Sequence, residues 1–312
     1  MTAVHIIHDN PEWLPPFREA FAAEGVPFEE WELTGGALDL GTTPPEGVFW
    51  SRLSASSPSR GHDHAKEYGR AVLRWLEAHG RTVVNGSAVL ELEVSKAAQH
   101  QALARSGIAV PQTAAVFGRA GLVERSGEFA APFVYKHNQG GKGLSVQRFD
   151  DHASFAAWAA SEEFEEPNDG ISLLQEYARP ADGFITRAEF VGGRFLYAVR
   201  VDVSSGSFEL CPADACALPG QRPLFSLRED AGELPVIAQY ERFLASAGIE
   251  IAGIEFIETA DGRVLTYDVN TNTNYNPGVE AVAPVSGPRE IARYTGNLLR
   301  TAYPADVTAD RA

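Results

Sequence analysis

Apolar and polar positions alternate in short runs near the start of the chain. Residues 4–7 form an apolar run that predicts a strand, residues 16–23 a helix with Phe17 and Phe21 on its apolar face, and residues 28–33 an alternating second strand. Residues 47–53, GVFWSRL, predict a third strand followed by a polar loop, SASSPSRGHDH. The helix expected over 64–79 carries Val72, Leu73, Trp75 and Leu76 at core spacing, and residues 82–85 return to the sheet. Residues 1–94 thus read as a small α/β unit of parallel type. In such a sheet ligands gather at the carboxyl ends of the strands. Arg52, Ser54, Arg60 and His62 lie at such an end, where a solvated loop tip is the competing reading.

Ser95 is a good N-cap for a helix over 96–105 that stops at Gly107, before the extended segment IAVPQT. A second domain is expected over 95–174: strands and turns from 121 to 149, a helix capped by Asp150 or Asp151 and running to about 164, the loop EEPNDG, then a strand over 171–178. The third domain, 175–312, reads as an antiparallel hairpin over 184–191 and 194–203 about Gly192-Gly193, then a helix over 234–247. Strands over 251–257 and 263–269 follow about Asp261-Gly262, then a closing helix over 288–302 and a loose tail from Pro304. No internal repeat is present.

Composition narrows the partners. With 26 basic and 42 acidic side chains among 312 residues the net charge is -16, which repels nucleic acid and anionic bilayers alike. No apolar run approaches the roughly 20 residues of a membrane span, and MTAVHIIHDNPEW lacks the basic start of a signal peptide, so a cytoplasmic protein is expected. Cys211 and Cys216, the only cysteines, read as reduced thiols.

The stretch PFVYKHNQGGKGLSVQRF, residues 132–149, reads as strand, glycine-rich cover and strand. Gly140, Gly141 and Gly143 allow several N–H groups to turn toward an anion, and Lys136 and Lys142 place point charges where phosphate would sit. An ordinary glycine-rich hairpin with solvated lysines is the alternative. The stretch is neither a P-loop, since G-x-x-x-x-G-K-[ST] is missing, nor a Rossmann turn, since a strand follows it where a helix would be needed. Glu255 on one strand of the later hairpin, with Asp268 and Asn270 at the end of the other, can converge as oxygen ligands suited to Mg²⁺. The run DVNTNTNYNP holds Asn270, Asn272, Asn274 and Asn276, for which a polar turn ladder is the plain reading.

Together these segments resemble the ATP-grasp superfamily, and within it the RimK-type ligases that join α-L-glutamate or a related amino acid to an amine. The resemblance runs over nearly all the chain, including FWSRLS, YGRAVLRWLEAHG and VVNGS in the N-terminal unit. It implies an ATP-grasp fold of mixed α/β (α+β) class, with an N-terminal parallel pre-ATP-grasp domain, a central small lobe and a C-terminal antiparallel lobe. It implies ATP and Mg²⁺ as cofactors, with Mn²⁺ able to substitute. Lys96 in SKAAQHQALARSGIAVPQT and Lys136 become the nucleotide lysines, and Gly140, Gly141, Lys142 and Gly143 the phosphate loop. Gln175, Glu176 and Tyr177 in LLQEYA become the adenine hinge, Glu255, Asp268 and Asn270 the metal ligands, and Arg187 the arginine beside the transferred phosphoryl group.

Three departures stand out. Ile185 occupies the position of a ribose-binding acid, leaving Asp182 a candidate; Lys142 replaces an uncharged loop residue; and SFELCPADAC replaces a basic, amide-rich substrate loop. The last segment is expected to shape the acceptor side, with Asp214 a partner for a substrate ammonium.

A carboxylate becomes an acyl donor once phosphorylated, so the expected reaction is ATP-dependent amide formation through an acyl phosphate on an amino acid or short peptide. Arg187 and Arg200 are the catalytic candidates. Arg200 is read as a clamp for a substrate carboxylate, on a strand adjacent to Arg187, with a surface ion pair as its alternative. His62, His64 and His137 supply no convincing nucleophile or general base. A small-molecule kinase and a non-catalytic nucleotide-binding regulator are the competing functions. Self-association as a homo-oligomer is open.

Overall fold

The computed structural model describes residues 2–140, 145–204 and 224–304. Gly141, Lys142 and Gly143, the SFELCPADAC segment with Cys211, Asp214 and Cys216, and the tail beyond 304 lie outside the described residues.

The chain opens with β1 (Ala3–His8), α1 (Pro15–Ala23), β2 (Phe28–Glu32), β3 (Gly47–Arg52), α2 (Ala65–Ala78) and β4 (Thr82–Val84). The strands form one parallel sheet in the order β2-β1-β3-β4. Its two faces bury different halves of each strand, as period-two alternation requires. Val4, Ile6 and Trp50 pack with Phe17 and Phe21 of α1, whereas Ile7 and Phe49 pack with Leu73 and Leu76 of α2.

The structure contains two helices that the periodicity did not predict. α3 (Ser87–Glu93) spans seven residues, too few to display an amphipathic repeat, and it leads into α4 (Lys96–Arg105), whose N-cap Ser95 accepts from Ala98 N as expected. After β5 (Thr113–Phe117), the expectation of strands and turns alone is corrected by α5 (Leu122–Ser126), a little over one turn long. Then follow β6 (Phe133–His137), β7 (Gln147–Phe149), α6 (His152–Ala160) and β8 (Ile171–Glu176). Asp151 caps α6, which ends at residue 160 and not near 164, because Ser161 turns extended and returns its hydroxyl to Trp158 O at 2.8 Å. The antiparallel sheet β5-β8-β6-β7 packs an aromatic core of Phe133, Tyr135, Phe149, Phe155 and Phe164.

The last sheet, β11-β10-β9-β12-β13, is built from β9 (Phe184–Val191), β10 (Arg194–Asp202), β11 (Phe225–Arg228), β12 (Ile251–Glu258) and β13 (Val264–Asn270). One face packs Phe190, Ile254 and Phe256 on α7 (Pro235–Ala247). The other sends Val191, Val199 and Val201 into the same core as the first sheet, with α9 (Gly287–Ala302) contributing Ile291 and Leu299 to it. Asn85, in the left-handed region at φ 54°, fastens the two sheets: its Nδ2 donates to Ile251 O at 2.8 Å and Thr271 O at 3.1 Å, and its Oδ1 accepts from Glu250 N at 3.0 Å. The carboxyl ends of the first sheet are thereby fixed against the far end of β13.

Candidate functional site

The site grows from the row of residues that face one another across β9, β12 and β13. Glu255 pairs with Arg187 on one side and Asp268 on the other, so alternation puts all three on one face. One register step along, Glu189, Gly253 and Asn270 form a second row on the same face. Gly253 is required there: a Cβ would lie 2.5 Å from Arg187 Nη2, so only glycine lets the guanidinium cross over the strand.

Arg187 is buried and uses its whole fork. Nε donates to Glu189 Oε1 at 2.6 Å, Nη1 to Glu255 Oε1 at 2.7 Å and Nη2 to Thr273 Oγ1 at 2.7 Å. Burial opposes its charge, but the Glu189 and Glu255 carboxylates raise its pKa above the ordinary arginine value. Tyr267 OH donates to Glu255 Oε2 at 2.9 Å, and Asn270 Nδ2 lies 3.5 Å from Glu255 Oε1.

Lys96 arrives from α4, which lies along the free edge of β13. Gln99 makes that attachment, donating to Val269 O at 2.9 Å and accepting from Val269 N at 3.0 Å. Asn138, just past β6, accepts from Ala97 N at 2.8 Å and donates to Asp169 Oδ2 at 2.6 Å. One asparagine therefore joins the start of the Lys96 helix to the end of the Lys136 strand. Lys96 Nζ donates to Asp268 Oδ1 at 2.7 Å. Lys136 is 4% exposed, and burial together with the nearby Lys96 ammonium lowers its pKa to about 7. His100 is held neutral, pulled down to about 3 by burial and by Lys136, and its Nε2 lies 3.2 Å from Tyr267 O.

The asparagine run is not one turn ladder. Asn270 sits by Glu255, Asn276 caps α8 (Pro277–Glu280), and Asn272 and Asn274 face Arg52. Arg52 is 2% exposed and lies over both Phe17, 4.1 Å from its ring centroid, and Trp50 at 5.2 Å. Its Nη2 reaches Asn272 Oδ1 at 2.8 Å, Thr273 O at 3.0 Å and Asn274 Oδ1 at 2.8 Å. Glu93 holds the preceding residue, accepting from Thr271 N at 2.7 Å and Oγ1 at 2.8 Å; burial pushes its carboxyl up to about 7. Of these supports, Asn138, Gln99, Glu93, Glu189 and Thr273 escaped the sequence reading.

The expectation for Arg200 is corrected. It pairs across the sheet with Thr186, whereas Arg187 pairs with Val199, so the two arginines occupy opposite faces. Arg200 is 44% exposed and bonds Asp230 at 3.2 Å, the surface ion pair that was its alternative. Among the hinge residues, Gln175 donates to Thr113 Oγ1 at 2.9 Å. Glu176 accepts from Gln112 N at 2.9 Å and Arg263 Nη1 at 3.1 Å, so its carboxylate is already engaged, and Tyr177 lies under Arg148 at 4.6 Å. Gly140 closes the described part of the phosphate loop. His137 points from β6 to the side opposite Lys136 and meets Glu165 O at 3.2 Å.

The donor set fits a hard divalent cation. Two carboxylates, facing each other across adjacent strands, and the Asn270 side-chain amide beside them are oxygen-bearing groups of the kind that make the protein share of a Mg²⁺ shell, which substrate phosphates and water complete. No group of three His, Cys, Asp or Glu side chains poised for a metal occurs among the described residues. The described residues also include no helix long and apolar enough to cross a membrane.

No protein-family model matches the chain. It is similar to a probable alpha-L-glutamate ligase of Xanthomonas oryzae pv. oryzae, 31% identical over 228 residues that cover 70% of this chain and 69% of the relative. In fold it is similar to a RimK domain ATP-grasp protein from Sphaerobacter thermophilus, with a TM-score of 0.67 at 19% identity over 94% of this chain and 99% of that one. It is also similar to the ATP-grasp ligase PsnB, solved with minimal precursor, Mg and ADP, with a TM-score of 0.64 at 16% identity over 94% and 96% of the two chains. The mixed α/β architecture, the shared length and the identity above place the chain in a known group: it belongs to the RimK-like alpha-L-glutamate ligase family of ATP-grasp enzymes, ATP-dependent ligases that join a carboxylate to an amine.

Proposed function

We propose that this enzyme phosphorylates the carboxylate of one substrate with ATP and passes the acyl group to the amine of an amino acid or short peptide. The observation that carries this reading is a cross-pairing of charge. Lys96 and Arg187, suited to phosphate, are each bonded to a carboxylate suited to a metal, Asp268 and Glu255. Replacing those pairs by MgATP leaves no buried charge uncompensated: carboxylates meet the metal and cations meet the phosphates.

Glu255, Asp268 and Asn270 are the residues that would hold Mg²⁺, which when bound neutralises charge on the β- and γ-phosphates. Lys96, Lys136 and the loop beginning at Gly140 bind and orient the phosphates, and Gln175 to Tyr177 flank adenine. Arg187, released from Glu255, steadies charge on the transferring group. The substrate carboxylate oxygen bonds to the γ-phosphorus as the bond to ADP breaks. The amine nitrogen then bonds to the carbonyl carbon, phosphate leaves with the electron pair of the C–O bond, and the amine proton passes to solvent. Mn²⁺ in place of Mg²⁺, a cytoplasmic setting and the three-part division at residues 94 and 174 belong to the same reading.

The test is ADP release over a panel of amino acids and dipeptides, followed by the mass of the product. An amide whose mass is the sum of two substrates less water supports the reading. A phosphorylated substrate accumulating in its place would assign a kinase.

A further inference from the structure

All three guanidinium nitrogens of Arg187 are bonded, yet only one of the bonds has to open for the reaction proposed above. Nη1 bonds Glu255, the carboxylate suited to the metal, whereas Nε bonds Glu189 Oε1 and Nη2 bonds Thr273 Oγ1. Those last two partners also bond each other, Thr273 Oγ1 donating to Glu189 Oε2 at 2.7 Å. Arg187, Glu189 and Thr273 therefore close a ring of hydrogen bonds in which each member is held from two sides.

The ring is fixed by the fold around it. Arg187 and Glu189 stand two residues apart on β9, so alternation puts them on one face, and the Glu189 side chain is 2% exposed against 16% for Glu255. Thr273 is buried, and its carbonyl accepts from Arg52 Nη2 at 3.0 Å, which ties the ring to the carboxyl end of β3. Both Glu189 oxygens are committed inside the ring, and a buried guanidinium stripped of every carboxylate is costly. Glu189 is thus the carboxylate that stays with Arg187 when Glu255 turns to the metal.

A guanidinium on a long side chain has rotamer freedom to lose, and a donor aimed in advance needs no reorganisation as charge develops on the transferring group. Building on the ligase reading above, we propose that Glu189 is a positioning residue: with Thr273 it keeps Arg187 aimed at the transferring phosphoryl group after Glu255 has left it. Glu189 acts through the geometry of these bonds and touches neither nucleotide nor metal.

Glu189→Gln and Glu189→Leu separate this role from a plain structural one. The amide keeps an acceptor for Arg187 Nε and a polar group for Thr273, whereas the leucine keeps bulk and breaks the ring. With the substrate pair that gives ADP release, kcat of Glu189→Leu is expected to fall about 10- to 100-fold, the worth of one charge-assisted hydrogen bond, while the KM for ATP stays within about twofold. Glu189→Gln should recover kcat to within about fivefold of the wild type. Calorimetry with ADP, Mg²⁺ and aluminium fluoride, an imitation of the phosphoryl group in transfer, needs no second substrate. Aluminium fluoride should tighten ADP binding in the wild type and in Glu189→Gln, and about 10- to 100-fold less in Glu189→Leu, with ADP alone bound equally by all three. Should Glu189→Leu fail to fold, Thr273→Val takes its place in each comparison, since it removes the two bonds the ring makes through Thr273. Wild-type kcat in Glu189→Leu, a Glu189→Gln as slow as Glu189→Leu, or an aluminium fluoride effect equal in all three proteins overturns the proposal and leaves Glu189 a structural counter-ion. The expected aluminium fluoride pattern in an enzyme that forms no amide would keep this role and remove the ligase reading; amide formation with unaltered kcat in Glu189→Leu would do the reverse.

Discussion

Lys96 Nζ and Asp268 Oδ1 lie 2.7 Å apart although 172 residues separate them in the chain. Burial opposes both charges, yet the Lys96 ammonium holds the Asp268 carboxyl below the usual carboxylate range, and Asp268 keeps Lys96 above the usual lysine value. A buried pair of this kind is costly to break from one side, because the survivor stays buried and unpaired.

Asp268→Asn should therefore act twice. Mg²⁺-dependent turnover should fall by about three orders of magnitude, in line with the several kcal/mol a catalytic metal supplies. The ligand-free fold should lose about 3–5 kcal/mol in urea denaturation. The sign with pH follows from the depressed carboxyl: the pair's contribution is present above the unfolded value near ~3.9 and is lost as pH falls through the lower folded value. Acid unfolding of the wild type should show that component and the variant should lack it.

Lys136→Met should separate stability from binding. A lysine whose folded pKa is lowered to about 7 by burial and by Lys96 destabilises the empty protein at neutral pH, and stability rises between that pH and the unfolded value near ~10.4 as the unfolded chain holds the extra proton. The variant should raise the melting temperature of the ligand-free protein at pH 7, by up to a few kcal/mol of stability, and weaken ATP binding. In the wild type, ATP binding near neutral pH should take up a proton, measurable by calorimetry in buffers of differing ionisation enthalpy. A variant with unaltered ATP affinity would remove Lys136 from the site.

The two arginines once paired in the sequence reading should behave oppositely. Arg187→Met leaves Glu189 and Glu255 as buried carboxylates without their cation and should cost about 3–5 kcal/mol of stability along with nearly all turnover. Arg200→Ala, on the other face and exposed, should change stability by less than about 1 kcal/mol and leave kcat and KM within about twofold.

That contrast marks the limit of what the sequence could tell. Local rules sufficed for α4, where Ser95 and Gly107 bracket the helix, and for β9, whose bounds match the apolar run. Membership of one hairpin was legible for Arg187 and Arg200, but which face each takes depends on a one-residue parity that only the observed register supplies. Glu255, Asp268 and Asn270 kept their common face because they share a hairpin with a strong turn signal. Asn138, Gln99 and Glu93 were illegible for another reason: each bonds backbone atoms of a segment distant in sequence, and no spacing rule reports that.

Arg52 offers a check on the metal loop. Arg52→Lys keeps the charge but loses the planar guanidinium that rests on Phe17 and holds Nη2 against Asn272, Thr273 and Asn274, so the loop after Asn270 should loosen. The concentration of Mg²⁺ giving half-maximal turnover should rise about tenfold, with a smaller effect on the KM for ATP. Equal rises in both would mean the loop does not set the metal.

Phosphorylation of a substrate carboxylate before the amine attacks leaves an isotopic trace. With the carboxylate substrate labelled by ¹⁸O in both oxygens, each turnover should deliver one ¹⁸O into inorganic phosphate and leave the other in the amide, with ADP formed in equal amount. Unlabelled phosphate accompanying the amide, or label retained in a stable phosphorylated product, would contradict the account.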